Sequence, residues 1–284
     1  MQRFSEYFLG GNTAEGFASF YDGFCPARSG RFLWVIKGGP GCGKSTFMKA
    51  IAAAAEDEGL LVERVWCSGD PQSLDGVVVP AWGVGYMDGT APHVMDVAYP
   101  AAAGAYLDLG QFYDIAAVRP MLSQIVALNS AYKSRYRAAY AALQVYAAEV
   151  TPQDWQQHAE ARFARAITCT GLCDHFPAAV QSGTAQELAG LAEAAVLLGR
   201  RVIDLRSPLR PAQSEGFFLP DTGVCYRVED AAEDEELQAA CAAACPILAE
   251  AKRLHDELEA LYNPHVDFAG VQALAESHVE RLKK

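Results

Sequence analysis

The feature that most constrains this chain is the run Val35-Ile36-Lys37-Gly38-Gly39-Pro40-Gly41-Cys42-Gly43-Lys44-Ser45-Thr46. It has the form G-x-x-x-x-G-K-[ST], with Gly38, Gly43, Lys44 and Ser45 at the fixed places. An apolar, partly β-branched run, Arg31 to Ile36, precedes it and reads as a buried strand. An alanine-rich helix former, Thr46 to Glu56, follows it. Strand, glycine loop and helix in that order favour an α/β domain with its site at the carboxyl end of a strand.

The residue types suit an anion. Glycines at 38, 39, 41 and 43 let the backbone take positive φ and turn successive N–H groups inward, and Pro40 and Cys42 lie between them. The helix beginning near Lys44 adds the positive end of its dipole. Lys44 is placed to reach β- and γ-phosphates, Ser45 to ligate Mg²⁺, and Thr46 to line the same turn. A bland reading, a glycine turn that holds nothing, has strand, loop and helix all against it.

The chain has 284 residues, enough for one large or two smaller α/β units. Its net charge of −12 and pI near 4.9 argue against nucleic-acid binding through bulk electrostatics. No apolar run approaches a membrane span, and Met1 to Glu6 does not read as a signal peptide, so a cytoplasmic protein is expected. The eight cysteines include no C-x-x-C and read as small apolar residues rather than as a metal site.

Along the chain, Phe8 to Phe17 reads as a strand end and glycine turn, in which Asn12 or Thr13 could face a nucleotide or simply make the turn. Leu60 to Cys67 reads as a second strand, Asp70 to Gly76 as a turn with a short helical piece, and Val77 to Pro80 as an apolar run. Gly83 to His93 holds a short hydrophobic strand that ends in Asp88, the pattern of an acid beside phosphates and Mg²⁺. Helix is expected from about Val118 to Val150, with Tyr132, Tyr136 and Tyr140 as a packing stripe. Thr151-Pro152 marks the best boundary, giving halves 1–150 and 151–284. A last helical stretch, Asp234 to Tyr262, is expected to break at Pro246.

The two halves are related. A shift of 140 aligns Gly43–Met87 with Gly183–Arg227 without a gap, pairing Gly59/Gly199, Pro71/Pro211, Gly76/Gly216, Pro80/Pro220, Gly83/Gly223 and Tyr86/Tyr226 among others. A shift of 155 pairs Phe8, Thr13 and Gly16 with Phe163, Thr168 and Gly171. Opposite Lys44-Ser45 stand Thr184-Ala185, opposite Asp88 stands Val228, and opposite Asp70 stands Arg210. Asp75 is answered by Glu215, which marks Asp75 as structural. The 15-residue difference between the shifts predicts that the second copy lacks the strand before the loop as well as the loop's first glycines.

The stretches FLGGNTAEGF, IKGGPGCGKST, CSGDPQSLDG and YMDGTAPH, in this order, resemble a poorly characterised bacterial family of P-loop ATPases built from two tandem halves. The second half is similar only in outline, through Phe163–Gly171, Glu215–Tyr226 and Leu258-Glu259-Ala260-Leu261-Tyr262-Asn263-Pro264. The resemblance implies a three-layer P-loop NTPase fold with a degenerate, abbreviated second repeat, and ATP binding and hydrolysis. On that expectation Lys44 stabilises the transferring phosphoryl, Ser45 and Asp88 hold Mg²⁺, and Asp70 or His93 orients the attacking water. A small-molecule kinase, with Arg119, Arg135 or Arg137 as lid arginines, and a nucleotide-gated binding module use the same loop. No N-K-x-D is present, which favours adenine over guanine. Arg200, Arg201 or Arg210 is a candidate finger toward the phosphates, against the commoner outcome of exposed arginines.

Overall fold

The computed structural model describes residues 6–146, 160–176, 179–229 and 231–284. The Thr151-Pro152 boundary lies outside them. Strands β1 (Glu6–Tyr7), β2 (Gly10–Thr13) and β3 (Gly16–Ser19) precede β4 (Phe32–Lys37) and helix α1 (Lys44–Asp57). Strands β5 (Glu63–Trp66), β6 (Leu74–Val79), β7 (Val84–Asp88) and β8 (Gly104–Asp108) follow, then helices α2 (Ile115–Val118) and α3 (Leu122–Leu143). After these come β9 (Glu160–Arg162), β10 (Arg165–Thr168), β11 (Gly171–Asp174), β12 (Val180–Gly183) and α4 (Ala185–Leu197). The chain closes with β13 (Ile203–Arg206), β14 (Ser214–Leu219), β15 (Val224–Val228), α5 (Ala231–Tyr262) and α6 (Phe268–Leu282).

Two compact units emerge, both discontinuous: Phe24–Arg135 with Glu250–Lys284, and Met1–Gly23 with Tyr136–Ala249. Both are mixed α/β.

In the unit that carries the glycine loop, the strands run in the order β5-β6-β7-β4-β8. β4 is parallel to both β7 and β8, whereas β5, β6 and β7 form an antiparallel meander. The sheet is therefore mixed, not parallel throughout as the P-loop pattern predicts, because the short turns at Asp70–Ser73 and Pro80–Gly83 can only reverse the chain. β6 is buried along its whole length, Asp75 included, so the predicted helical piece after Asp70 is instead the start of a strand. Helix α1 buries Phe47, Met48, Ile51, Ala52 and Ala55, a stripe at helical spacing that packs on Val77, Val79, Val84 and Tyr86 of the sheet. Each large apolar side chain removed from water there contributes on the order of 2 kcal/mol. Helix α6 joins this layer through Val271, Ala275 and His278, and His278 Nδ1 lies 3.0 Å from the Tyr86 hydroxyl. Burial pushes the Tyr86 phenol up and the His278 imidazole down, so both stay neutral in the core.

The other unit has a sheet ordered β12-β15-β14-β13-β9 and repeats the first sheet's register. Gly76 faces Met87 across β6–β7, and Gly216 faces Arg227 across β14–β15. Glu63 faces Val78, and Ile203 faces Phe218. Even the irregularity after Val65 recurs after Leu205. Helix α4 packs Leu188, Ala192 and Ala195 on Val202, Phe217 and Leu219. Beside it, Ala139 and Leu143 of α3, Leu237, Ala240, Ala244 and Leu248 of α5, and Ile167 share one core. Helix α5 is continuous through Pro246, contrary to the expected break; packing on both sides of the proline outweighs one lost N–H. Cys241 and Cys245 lie one turn apart on α5, and their interaction raises the first thiol and lowers the second.

The strand expected to be missing from the second copy is present. β12 lies parallel to β15 as β4 lies parallel to β7, with Gly183 opposite Val228 where Ile36 stands opposite Asp88. Since Gly183 also aligns with Gly43 by sequence, residues 37–43 have no counterpart at this junction, and the other eight of the 15 residues (15 − 7) are missing between the hairpin and the strand. β12 runs straight into α4, and Thr184 and Glu187 close a capping box on the helix N-terminus. The alignment misled because a deletion between strand and helix leaves the strand's four residues with no sequence anchor.

Candidate functional site

The glycine loop lies between β4 and α1, at the carboxyl end of a strand with parallel neighbours on both sides. Gly38, Gly41 and Gly43 have φ of 156°, 67° and 88°, in the region that favours glycine. Lys44 folds back over the loop. Its Nζ donates to Gly38 O (3.2 Å) and Gly39 O (2.9 Å) and stands 3.6 Å from Asp88 Oδ2. Both side chains are 13% exposed, so the pair is largely shielded from water. Asp88 is fixed by the two groups of Thr90, whose N–H (2.9 Å) and hydroxyl (2.6 Å) both donate to Oδ1. The Ser45 hydroxyl accepts the N–H of Leu74 (3.0 Å), which ties α1 to the start of β6. Thr46 is exposed on α1.

The ligand atoms of Asp75, Asp88 and His93 all lie within 4.8 Å of one another. His93 donates from Nδ1 to Asp88 O (2.8 Å), and its Nε2 is 3.5 Å from Asp75 Oδ1. Burial works against the charged imidazolium, but the Asp75 carboxylate, helped by Asp88, outweighs it and pushes the pKa up to about 9. Asp75, read from the sequence as structural, thus stands in the same cluster as two expected site residues. In the other unit its counterpart Glu215 is paired with Arg165 at 2.6 Å, so both copies keep a buried acid with a cationic partner. The repeat conserved the charge and hid the difference in partner.

Asp70 sits in the turn after β5, where it accepts from Gln72 N (3.2 Å) and Ser73 Oγ (2.8 Å) and lies 3.6 Å from Lys252 Nζ. The loop's outer side is held by residues that sequence reasoning did not single out for a role. The Tyr113 hydroxyl donates to Pro40 O (2.6 Å), and the Gly41 N–H donates to Glu259 Oε1 (3.1 Å). With its amide nitrogen toward the loop, Asn263 donates to Gly41 O (3.0 Å) and Glu259 O (3.3 Å). The only sequence signal was the Leu258–Pro264 stretch that carried part of the resemblance. Tyr113 also lines a cavity of about 380 Å³ with Phe112, Asp114, His265 and Asp267.

The Asn12 amide donates to Ile167 O and the Thr13 hydroxyl to Gly16 O, so both serve the hairpin turns. Arg135 is paired with Glu250 (3.0 Å), and Arg119 is exposed. Arg200 is bonded to Asp221, Arg201 to Glu160 and Arg210 to Glu236, each a carboxylate of its own unit. Tyr132 packs edge-on against His255, and Tyr136 lies 6.0 Å from Tyr140, a packing stripe as expected. Among the described residues no helix is long and apolar enough to cross a membrane. Comparison with family models, curated proteins and solved structures finds no match to this chain.

Proposed function

We propose that the unit carrying the glycine loop is a P-loop nucleotide site that binds Mg-ATP and hydrolyses it. The observation that carries the reading is the Lys44 ammonium, held between the loop carbonyls of Gly38 and Gly39 and 3.6 Å from the Asp88 carboxylate. One cation, one acid and the N-terminus of a helix thus stand together, the combination a bound phosphate and its counter-ion call for.

The donors suit magnesium by their chemistry. Asp75, Asp88 and the Ser45 hydroxyl supply hard oxygens, while both ring nitrogens of His93 already face oxygens. Ser45 and Asp88 would hold the ion, directly or through water, and its charge would neutralise phosphate oxygens. Lys44 leaves its loop carbonyls and binds the phosphoryl oxygens, where charge develops in the transition state. The loop N–H groups bind the β-phosphate side and orient it. His93 keeps Asp75 and the Asp88 backbone fixed, so that the acid edge does not shift as the ligand enters. Asp70 serves the turn that feeds Leu74 and Asp75 into β6.

Phosphate release from ATP and from GTP by the purified chain tests this reading. Mg²⁺-dependent release from ATP that disappears in Lys44→Ala is the expected result. Absence of release in the presence of tight ATP binding would favour the nucleotide-gated binding module. Release or transfer only when a metabolite is added would favour the kinase, for which the cavity beside Tyr113 offers an acceptor site.

A further inference from the structure

The Glu259 carboxylate sits on an N–H of the glycine loop. Gly41 N donates to Glu259 Oε1 at 3.1 Å, and the end of α5 passes close against Gly41. A Cβ on Gly41 would stand 2.2 Å from the Asn263 amide and 3.3 Å from Glu259 O, and its φ of 67° disfavours any other residue. Glu259 and Asn263 therefore grip both backbone polar groups of one loop residue, the N–H and the C=O of Gly41.

Two physical points make this grip unusual. First, Glu259 lies in the last turn of α5, which ends at Tyr262, where the helix dipole disfavours a negative charge. On the preceding turn of α5, His255 Nδ1 lies 3.9 Å from Oε1 at a partly exposed, solvent-screened position. Lys252 adds a longer-range positive charge, and the hydrogen bond to this carboxylate comes from the loop. Second, a glycine loop of this kind exposes its N–H groups to attract anions, and a carboxylate is the side-chain group closest to a phosphate in charge and acceptor geometry.

We propose that Glu259 is an internal anion that competes with the ligand phosphate for the loop, and that ligand binding displaces Glu259 and loosens the segment Glu259–Asn263 from Gly41. The inference rests on the loop being a nucleotide phosphate site. It adds that the loop carries an anion of the chain's own, so that affinity is set by an exchange of one anion for another. The geometry also explains the pairing of Glu259 with Asn263: the amide holds the loop from its carbonyl side, which keeps the helix end within reach for rebinding.

The test is titration of the full chain with the Mg²⁺ complex of a non-hydrolysable ATP analogue, comparing wild type with Glu259→Gln and Glu259→Ala. Removing the charge should tighten binding about tenfold, because a charge-assisted bond to the loop is replaced by a neutral one or none. In the wild type, hydrogen exchange of peptides covering 256–265 should speed up when the analogue binds. Equal or weaker binding by both variants, or slower exchange of that segment on binding, would overturn the inference while leaving the nucleotide site intact. No binding by any of the three proteins would overturn both the inference and the reading on which it rests.

Discussion

Phe8 and Phe163, equivalent positions of the internal repeat, donate their N–H groups to each other's carbonyl oxygens, at 2.9 Å in both directions. The reciprocity extends outward. The Phe8 ring packs on His175 and the Phe163 ring on Phe20, at 5.0 and 4.8 Å, and positions 20 and 175 are themselves equivalent. Thr13 and Thr168 each donate to the carbonyl three residues on, Gly16 and Gly171, at 2.8 Å. A local two-fold axis therefore runs between the two hairpins. The duplication seen in sequence is a duplication of structure, from which one copy has lost 15 residues, 37–43 among them.

The kept acids make a prediction about stability. Arg165 and Glu215 are 4% and 2% exposed and bond at 2.6 Å, with Asp234 on the other guanidinium nitrogen. Glu215→Ala leaves a buried guanidinium short of one partner and should cost about 3–5 kcal/mol in urea denaturation. A loss under about 1 kcal/mol, the range of a surface pair, would contradict the buried-pair account.

Much of the site was legible because its chemistry is local. Gly38 to Thr46 is a contiguous motif, and Asp88 ends a short apolar strand, so spacing alone brings them to one sheet edge. Glu259, Asn263 and Tyr113 were not legible, since nothing in the spacing of Gly41 and Glu259 along the chain reports that they touch. Glu215 preserves the charge of Asp75, and only the structure shows that the partner is His93 in one copy and Arg165 in the other. The mixed sheet escaped because β-branched runs such as Val77–Val79 do not encode strand direction.

The His93–Asp75 pair sets a pH dependence. The folded-state pKa of His93 is raised to about 9 from an ordinary 6.5, so the charged imidazolium stabilises the fold fully below about pH 6.5. That contribution is lost as pH rises through about 9. With 1.36 kcal/mol per unit, its upper limit is about 3 kcal/mol. Urea denaturation in Mg²⁺-free buffer between pH 6 and 9.5 should show this loss in the wild type, with a flatter profile in His93→Gln. Identical profiles would show that the pair does not titrate as described.

The two acids at the strand ends divide by their partners. Asp88 faces Lys44 and stands in the ligand cluster, whereas Asp70 is bonded within its own turn and lies near Lys252. Asp88→Asn should weaken nucleotide binding in Mg²⁺ and have little effect in chelator, while Asp70→Asn should spare binding in both. Parallel behaviour of the two variants in both assays would contradict this division.

The central claim is that one loop, in one copy, holds one nucleotide through Lys44. Calorimetric titration with the Mg²⁺ complex of a non-hydrolysable ATP analogue tests it most directly, run on the wild type and on Lys44→Ala at matched melting temperatures. The account predicts a stoichiometry near one for the wild type and no measurable binding for the variant. A stoichiometry near two, or a Lys44→Ala protein that binds with unchanged affinity, would contradict it.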